Sequence, residues 1–374
     1  MKRSFIREIL EARNENSISF AGGLPDESLF PLKALQTCAK KVLENPKSLQ
    51  YSASMGILEL REMIARRYCK KGFETSTREI MITTGSQQAL NLIAQGYLDK
   101  EVALEAPTYL GALGVFKMHA IACKQMRLDK EGLVLEDLRK TLKTSKALYL
   151  IPDFQNPSAL RYSEKRRKEV ASLCQEAGAL LIEDAAYEEL YFDKSARAIA
   201  SYMPERSFHM GSFSKILARG LRVGWIRCSE SLMKKILPIK EVMDLHTSSL
   251  DQMLILEYLK TNTLETHLEK LRRAYKKKML IFAHGLKTEL SAFEFDHPEG
   301  GMFIYGKLKG ISTSSLVKAC MKRDVLMVPG IEFYASRGCD DEIRFNFTSA
   351  SEVQIIKGLK IINKEVLALK EYSK

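Results

Sequence analysis

Asn156, Asp184, Tyr187, Lys215 and Arg222 follow one another along this 374-residue chain with types that can do chemistry together. Lys215 ends the run Gly211-Ser212-Phe213-Ser214-Lys215. Its amine can condense with an aldehyde to a Schiff base, which opens covalent catalysis by imine exchange. An aspartate facing a ring nitrogen keeps it protonated, so the ring can take up electrons from a carbanion. An asparagine amide and a tyrosine hydroxyl can hydrogen-bond a ring oxygen beside the aldehyde and lower the imine pKa. Arg222 and the hydroxyls of Ser212 and Ser214 can hold a phosphate, together with amides at a helix start. Thr84-Gly85-Ser86-Gln87 follows a β-like run and opens a helical pattern, so it is the place for those amides. One ligand uses every group in this set: a phosphorylated pyridine aldehyde, pyridoxal 5'-phosphate (PLP).

Each residue alone has an ordinary reading. A lysine after a serine is most often a surface lysine. Asp184 could cap the following turn, Tyr187 could pack, and Asn156 before Pro157 is common turn chemistry. Arg222 could pair with a surface carboxylate. The joint occurrence, in this order, carries the inference.

The surrounding pattern must bring these residues together. β-like runs fall at 79–83, 101–105, 147–151, 179–183, 208–211 and 221–227, with helical patterns between several of them, including 86–98 and 164–177. This alternation predicts an α/β unit with a mostly parallel sheet between helices. Ligands bind beyond the carboxyl ends of such strands, where the singled-out residues fall. After about residue 251 long charged helices take over, the longest at 264–286, followed by strands at 300–305 and 343–347 and a last helix at 351–371. We expect an arm over residues 1–33 that joins the small domain, a large domain over 34–255 and a small α+β domain over 256–374.

Composition removes several classes. No apolar run nears the roughly 20 residues that span a bilayer, and Met1-Lys2-Arg3-Ser4-Phe5-Ile6-Arg7-Glu8 lacks the apolar core of a secretory signal. Seven cysteines without a CxxC pair argue against disulfides and zinc, and six scattered histidines show no ligand spacing. We therefore expect a cytoplasmic protein with no metal. Lys plus Arg number 58 against 46 Asp plus Glu, a net charge of +12. The basic residues are spread along the chain. The groups Lys234, Lys235, Lys240 and Lys270, Arg272, Arg273, Lys276 to Lys278 read as solvated helix faces rather than a nucleic-acid patch.

At the same residues the chain resembles fold-type I PLP aminotransferases of class I/II, and within them the group of 2-aminoadipate and kynurenine aminotransferases and MocR effector domains. The likeness runs from Ser19-Phe20-Ala21-Gly22-Gly23-Leu24-Pro25 through Leu49-Gln50-Tyr51-Ser52, Thr84-Gly85-Ser86-Gln87 and Glu105-Ala106-Pro107-Thr108-Tyr109. It continues with Gln155-Asn156-Pro157, Glu183-Asp184-Ala185-Ala186-Tyr187, the lysine run, Gly220-Leu221-Arg222-Val223-Gly224-Trp225 and Arg344-Phe345-Asn346-Phe347. The fold it implies has a mostly parallel seven-stranded sheet in the large domain and a smaller α+β domain. By the resemblance Lys215 binds the cofactor and moves the proton, Asp184 pairs with the pyridine nitrogen, and Asn156 and Tyr187 with the ring oxygen. Tyr109 stacks on the ring, and Ser86, Gln87, Ser212, Ser214 and Arg222 surround the phosphate. Tyr51 reaches the site of the neighbouring subunit in a homodimer. Arg344 clamps the substrate carboxylate, Gly23 lies against the substrate, and Arg7 on the arm is a candidate for a distal carboxylate.

The activity so implied is ping-pong transfer of an amino group from a 2-aminoadipate, aromatic or branched-chain amino acid to a 2-oxo acid, with 2-oxoglutarate as acceptor. A PLP-dependent lyase on the same scaffold is the alternative. A ligand-sensing domain ranks lower: such regulators carry a winged helix ahead of this region, and here the motifs begin near residue 4. Three positions depart from the family pattern: Ser158-Ala159 replaces Thr-Gly, Arg219 stands where proline is common, and Val223 replaces leucine or isoleucine.

Overall fold

The computed structural model describes residues 9, 11, 14–336 and 338–372; Arg7 lies outside the described residues. The chain enters through β1 (Ile18–Ser19) and builds a large sheet from β2 (Ile80–Thr83), β3 (Glu101–Ala106), β4 (Ala122–Asp129), β5 (Gly132–Leu133), β6 (Ala147–Leu150), β7 (Leu180–Asp184), β8 (Ser207–Ser212) and β9 (Gly224–Arg227). Their order is β2-β9-β8-β7-β6-β3-β4-β5. The pairs β4/β3, β3/β6, β6/β7 and β7/β8 are parallel. β9 runs antiparallel to both β2 and β8. Seven strands form the expected sheet, and the two-residue β5, antiparallel to β4, adds an eighth at the edge.

Every residue of β2, β6 and β8 is buried, as is all of β7 after Leu180. Helices on both faces of a parallel sheet leave such strands no wet side, which is why Ala147–Leu150 and Leu180 to Ile182 read as apolar runs. The Glu164–Glu176 helix starts where the Ser163 hydroxyl accepts the Arg166 N–H at 3.1 Å, one of the donors a helix start otherwise leaves unmet.

The C-terminal part holds a four-stranded antiparallel sheet in the order β10-β11-β14-β13, from β10 (Phe293–Phe295), β11 (Phe303–Leu308), β13 (Val328–Pro329) and β14 (Glu342–Asn346). The helices Leu264–Glu289 and Glu352–Tyr372 pack on each other beside it. β1 pairs in parallel with β12 (Val325–Leu326), and the Asn346 N–H donates to the Phe20 carbonyl at 2.8 Å. The Phe20 ring meets those of Phe282 and Phe345 edge-on at 5.0 and 6.2 Å. The segment carrying Gly23 is thus fastened to the small sheet.

Several sequence expectations need correction. Lys240 is fully buried rather than solvated, because its ammonium pairs with Asp244 one turn on. Arg272 is also buried, stacked 3.8 Å from the Tyr191 ring and donating to the Glu189 carbonyl at 2.8 Å. β4 went unread because its side chains alternate with exposed polar ones at a sheet edge. The helix read around Lys234, Lys235 and Lys240 spans Glu230–Asp244 and carries Pro238 in its interior. Among the described residues no helix is long and apolar enough to cross a membrane.

Candidate active site

At the carboxyl ends of the parallel strands lies a cavity of about 1010 Å³. Gly23, Ser86, Gln87, Tyr109, Asn156, Asp184, Tyr187, Ser214, Lys215, Arg222 and Arg344 all line it. The sheet explains the convergence. Asp184 is the last residue of β7, Lys215 follows β8, Asn156 follows β6 and Tyr109 follows β3, so four neighbouring strand ends deliver their side chains to one place.

The Lys215 ammonium Nζ donates to the Gly23 carbonyl at 2.7 Å and lies 5.8 Å from the centre of the Tyr187 ring. Burial pushes its pKa down to about 7, helped by the positive charges of Arg219, Arg344 and Arg222, with Asp184 pulling the other way. A side chain at Gly23 would meet Phe303 Cζ at 3.0 Å and Nζ at 3.5 Å, so glycine keeps the backbone close to the amine. Asp184 is buried; its Oδ2 accepts the Tyr149 hydroxyl at 3.0 Å and its Oδ1 the Ala186 N–H at 3.2 Å. Burial raises its pKa to about 6 against those two bonds and the Lys215 charge.

Asn156 joins two partners. Its Nδ2 donates to the Tyr187 hydroxyl at 3.1 Å, and its Oδ1 accepts Arg344 Nη1 at 2.7 Å. Arg344 is buried, donates through Nη2 to the Ala21 carbonyl, and lies over the rings of Phe303 and Phe333 at 4.3 and 4.8 Å. Among the described residues its buried Nε has no hydrogen-bond partner, and burial lowers its pKa to about 10. Burial raises that of Tyr187.

At the other end of the cavity Arg222 adopts left-handed backbone angles (φ 53, ψ 34) as the cap of a short helical turn, which turns its side chain back across the strand ends. Nη1 donates to Ser214 Oγ at 3.2 Å. Nη2 lies 2.5 Å from where a side chain on Gly85 would start, and Gly85 itself has φ +77. Glycine there lets the guanidinium and the first turn of the Gly85–Tyr97 helix approach each other. Gln87 Nε2 donates to the Gly111 carbonyl at 3.1 Å, tying that turn to the segment carrying the half-buried Tyr109.

Two sequence candidates stand apart from the cavity wall. Ser212 is buried, its hydroxyl oxygen accepting the Ser214 N–H at 3.1 Å, so it shapes the lysine loop from beneath. Tyr51 is 80% exposed, its ring 5.7 Å from that of His246. The family departures are also placed. Arg219 lines the cavity. The Ser158 hydroxyl donates to Gln155 Oε1 at 2.7 Å, and Ala159 takes φ 60. Gln155 Nε2 in turn donates to the Pro107 carbonyl at 2.7 Å and Glu105 Oε2 at 3.1 Å.

Sequence reasoning missed Tyr149 and Asp244. Asp244 lines the cavity and accepts Thr84 Oγ1 at 3.2 Å and Gln88 Nε2 at 2.6 Å, bracing the turn ahead of Ser86. Tyr149 carried a signal, as the one polar-tipped side chain in the apolar run Ala147–Leu150.

The family described as aminotransferase class I and II matches residues 17–360. The aromatic-amino-acid aminotransferase 1 of Thermococcus litoralis is 35% identical over 380 residues, covering 96% of this chain and 90% of that protein. The 2-aminoadipate transaminase of Thermus thermophilus is 34% identical over 384 residues, covering 99% and 95%. The crystal structure of the alpha-aminoadipate aminotransferase LysN from Thermus thermophilus, complexed with N-(5'-phosphopyridoxyl)-L-leucine, superposes with a TM-score of 0.92 at 34% identity, over 99% of this chain and 96% of that one. The chain belongs to the class I and II aminotransferases. It is a PLP-dependent transaminase of fold type I.

Proposed function

We propose that this cavity moves an amino group from an α-amino acid to 2-oxoglutarate, with the residues named above in the roles their positions suggest. The supporting observation is the placement of Lys215 between two cationic ends, Arg222 with Ser214 on one side and Arg344 on the other. The cofactor fits this frame. Arg222, Ser214 and the helix start at Gly85 suit a phosphate dianion, and Asp184, Asn156 and Tyr187 suit the two faces of polarity on a pyridine ring. The buried, unpartnered Nε of Arg344 offers a donor to a substrate carboxylate. Bound there, PLP supplies an aldehyde that takes up amines and a protonated ring that draws electrons from the substrate Cα.

The protein's own steps follow from its pKa values and contacts. With its pKa near 7, Lys215 holds a substantial neutral fraction at physiological pH and can attack without a separate base. Released by the incoming amine, Nζ would take the proton from the substrate Cα and return it two bonds along, a 1,3 shift. Asp184 holds the ring proton. Asn156 and Tyr187 donate to the ring oxygen, and Tyr109 covers the ring face. Ser86, Gln87 and Arg222 fix the phosphate, supported by Ser212. Arg344 receives the carboxylate as a planar fork, with Gly23 against the substrate.

The donor class is 2-aminoadipate or aromatic, as the names of the relatives suggest, or branched-chain, as the phosphopyridoxyl-leucine bound to LysN suggests, with Arg7 as candidate for a distal carboxylate. The working unit in this reading is a cytoplasmic homodimer in which the exposed Tyr51 completes the partner's phosphate site. The described cysteines are all free, which suits a reducing compartment. The test is an absorption spectrum of the purified protein during titration with a panel of amino acids. A near-visible band that one donor shifts and 2-oxoglutarate restores is expected. Release of pyruvate and ammonia would instead mark a lyase, and a band that no amino acid shifts would mark a sensor.

A further inference from the structure

Tyr149 is buried in β6, and its hydroxyl donates to Asp184 Oδ2 at 3.0 Å. The register of the sheet makes this contact a built one. Tyr149 pairs with Ile182 across β6 and β7, and Asp184 lies two residues further along, on the same face as Ile182. A phenol is long enough to reach a diagonal neighbour on that face. The ring is held by Phe116, edge-on at 5.6 Å, so the hydroxyl direction is set by packing. Ala186 N–H takes the other carboxylate oxygen. An ionised carboxylate accepts about four bonds, so the two present fix its plane and leave capacity toward the cavity.

We propose that Tyr149 is a positioning residue that keeps Asp184 ionised and aimed at the cofactor's ring nitrogen. This rests on the reading of Asp184 given under Proposed function. The reason is electrostatic. Among the described residues no guanidinium or ammonium is hydrogen-bonded to Asp184, and burial drives its proton affinity up. A hydroxyl donor stabilises the charged form more than the protonated one. Tyr149 itself stays neutral, since burial raises its own pKa well above the usual phenol range. Without the bond, the proton shared between Asp184 and a ring nitrogen moves toward Asp184, and the ring loses its positive charge.

The experiment compares two cofactors on the apoprotein: PLP, and an analogue with carbon in place of the ring nitrogen. Dissociation constants are measured by fluorescence for the native protein and for Tyr149→Phe, which keeps the ring and removes the donor. The native protein should prefer PLP over the analogue. In Tyr149→Phe that preference should shrink about tenfold, as a charge-assisted bond is lost, with PLP weakened and the analogue unchanged. Equal loss for both cofactors would make Tyr149 a packing residue and overturn the proposal. An undiminished preference would also overturn it. No preference in the native protein would instead remove the reading of Asp184 itself, and the proposal with it. Adding Tyr149→Phe to Asp184→Asn should change the preference no further; an independent additional loss would show that Tyr149 acts by another route.

Discussion

Arg344 Nη1 donates to Asn156 Oδ1 at 2.7 Å, so a strand of the small sheet is tied to the loop after β6 in the large one. Asn156 in turn holds the Tyr187 hydroxyl at 3.1 Å. In the proposed reading, the group that would receive the substrate carboxylate is therefore one hydrogen bond from the groups that would lie beside the ring oxygen.

The first prediction concerns that fork. Arg344→Lys keeps the charge but loses the planar fork, so a carboxylate can no longer be held by two parallel bonds while Asn156 is also kept. We expect kcat/KM to fall about 10- to 100-fold for donor and acceptor alike, with the absorption band of bound cofactor retained. Steady-state kinetics with both substrates checks this. Unchanged KM values would place the carboxylate elsewhere in the cavity.

Lys215 should set the pH at which the apoprotein captures PLP. Its pKa is lowered from 10.5 to about 7, so the attacking neutral amine predominates above that pH and its fraction falls about tenfold per unit below it. Stopped-flow absorbance should show a capture rate that is flat above about pH 7 and declines toward acid. A rate still rising above pH 9 would mean an ordinary lysine. Lys215→Ala should lose both the near-visible band and turnover.

How far these groups were readable in the sequence differs with the kind of constraint. Strand β6 and the start of β7 were legible because burial on both faces makes them apolar runs, and the residues at the strand ends were legible because each has a distinct chemical type. Lys240 was misread because charge on a helix usually means solvent, and its partner Asp244 is visible only once the helix around Pro238 exists. Tyr149 was passed over because a tyrosine in a buried strand looks like packing; the register that aims it at Asp184 belongs to the assembled sheet. The replacement of glycine by Ala159 was noticed, but its consequence needed the backbone angle.

That angle supports a stability prediction. Ala159 sits at φ 60, a left-handed conformation that costs a residue with a Cβ roughly 1–2 kcal/mol. Ala159→Gly removes that cost and returns roughly 0.5–1 kcal/mol through the freer unfolded chain. A net gain of about 0.5–1 kcal/mol in unfolding free energy should appear in denaturant titration. Loss of stability would show that the methyl group's contacts outweigh the backbone term.

Tyr51 provides the test of shared sites. In one chain it is 80% exposed and absent from the cavity wall, yet a phenol that donates to a phosphate should strengthen PLP binding about tenfold. Tyr51→Phe should therefore weaken cofactor affinity by that factor. Lys215→Ala is silent on its own. If each site takes Lys215 from one subunit and Tyr51 from the other, a hybrid dimer of the two variants contains one site with both residues native. Mixing the variants under conditions that exchange subunits should then restore tight PLP binding and turnover to that site. If Tyr51 serves its own chain, the subunit that keeps Lys215 still lacks the hydroxyl, and mixing changes nothing. Activity at limiting PLP, followed against mixing ratio, separates the two cases.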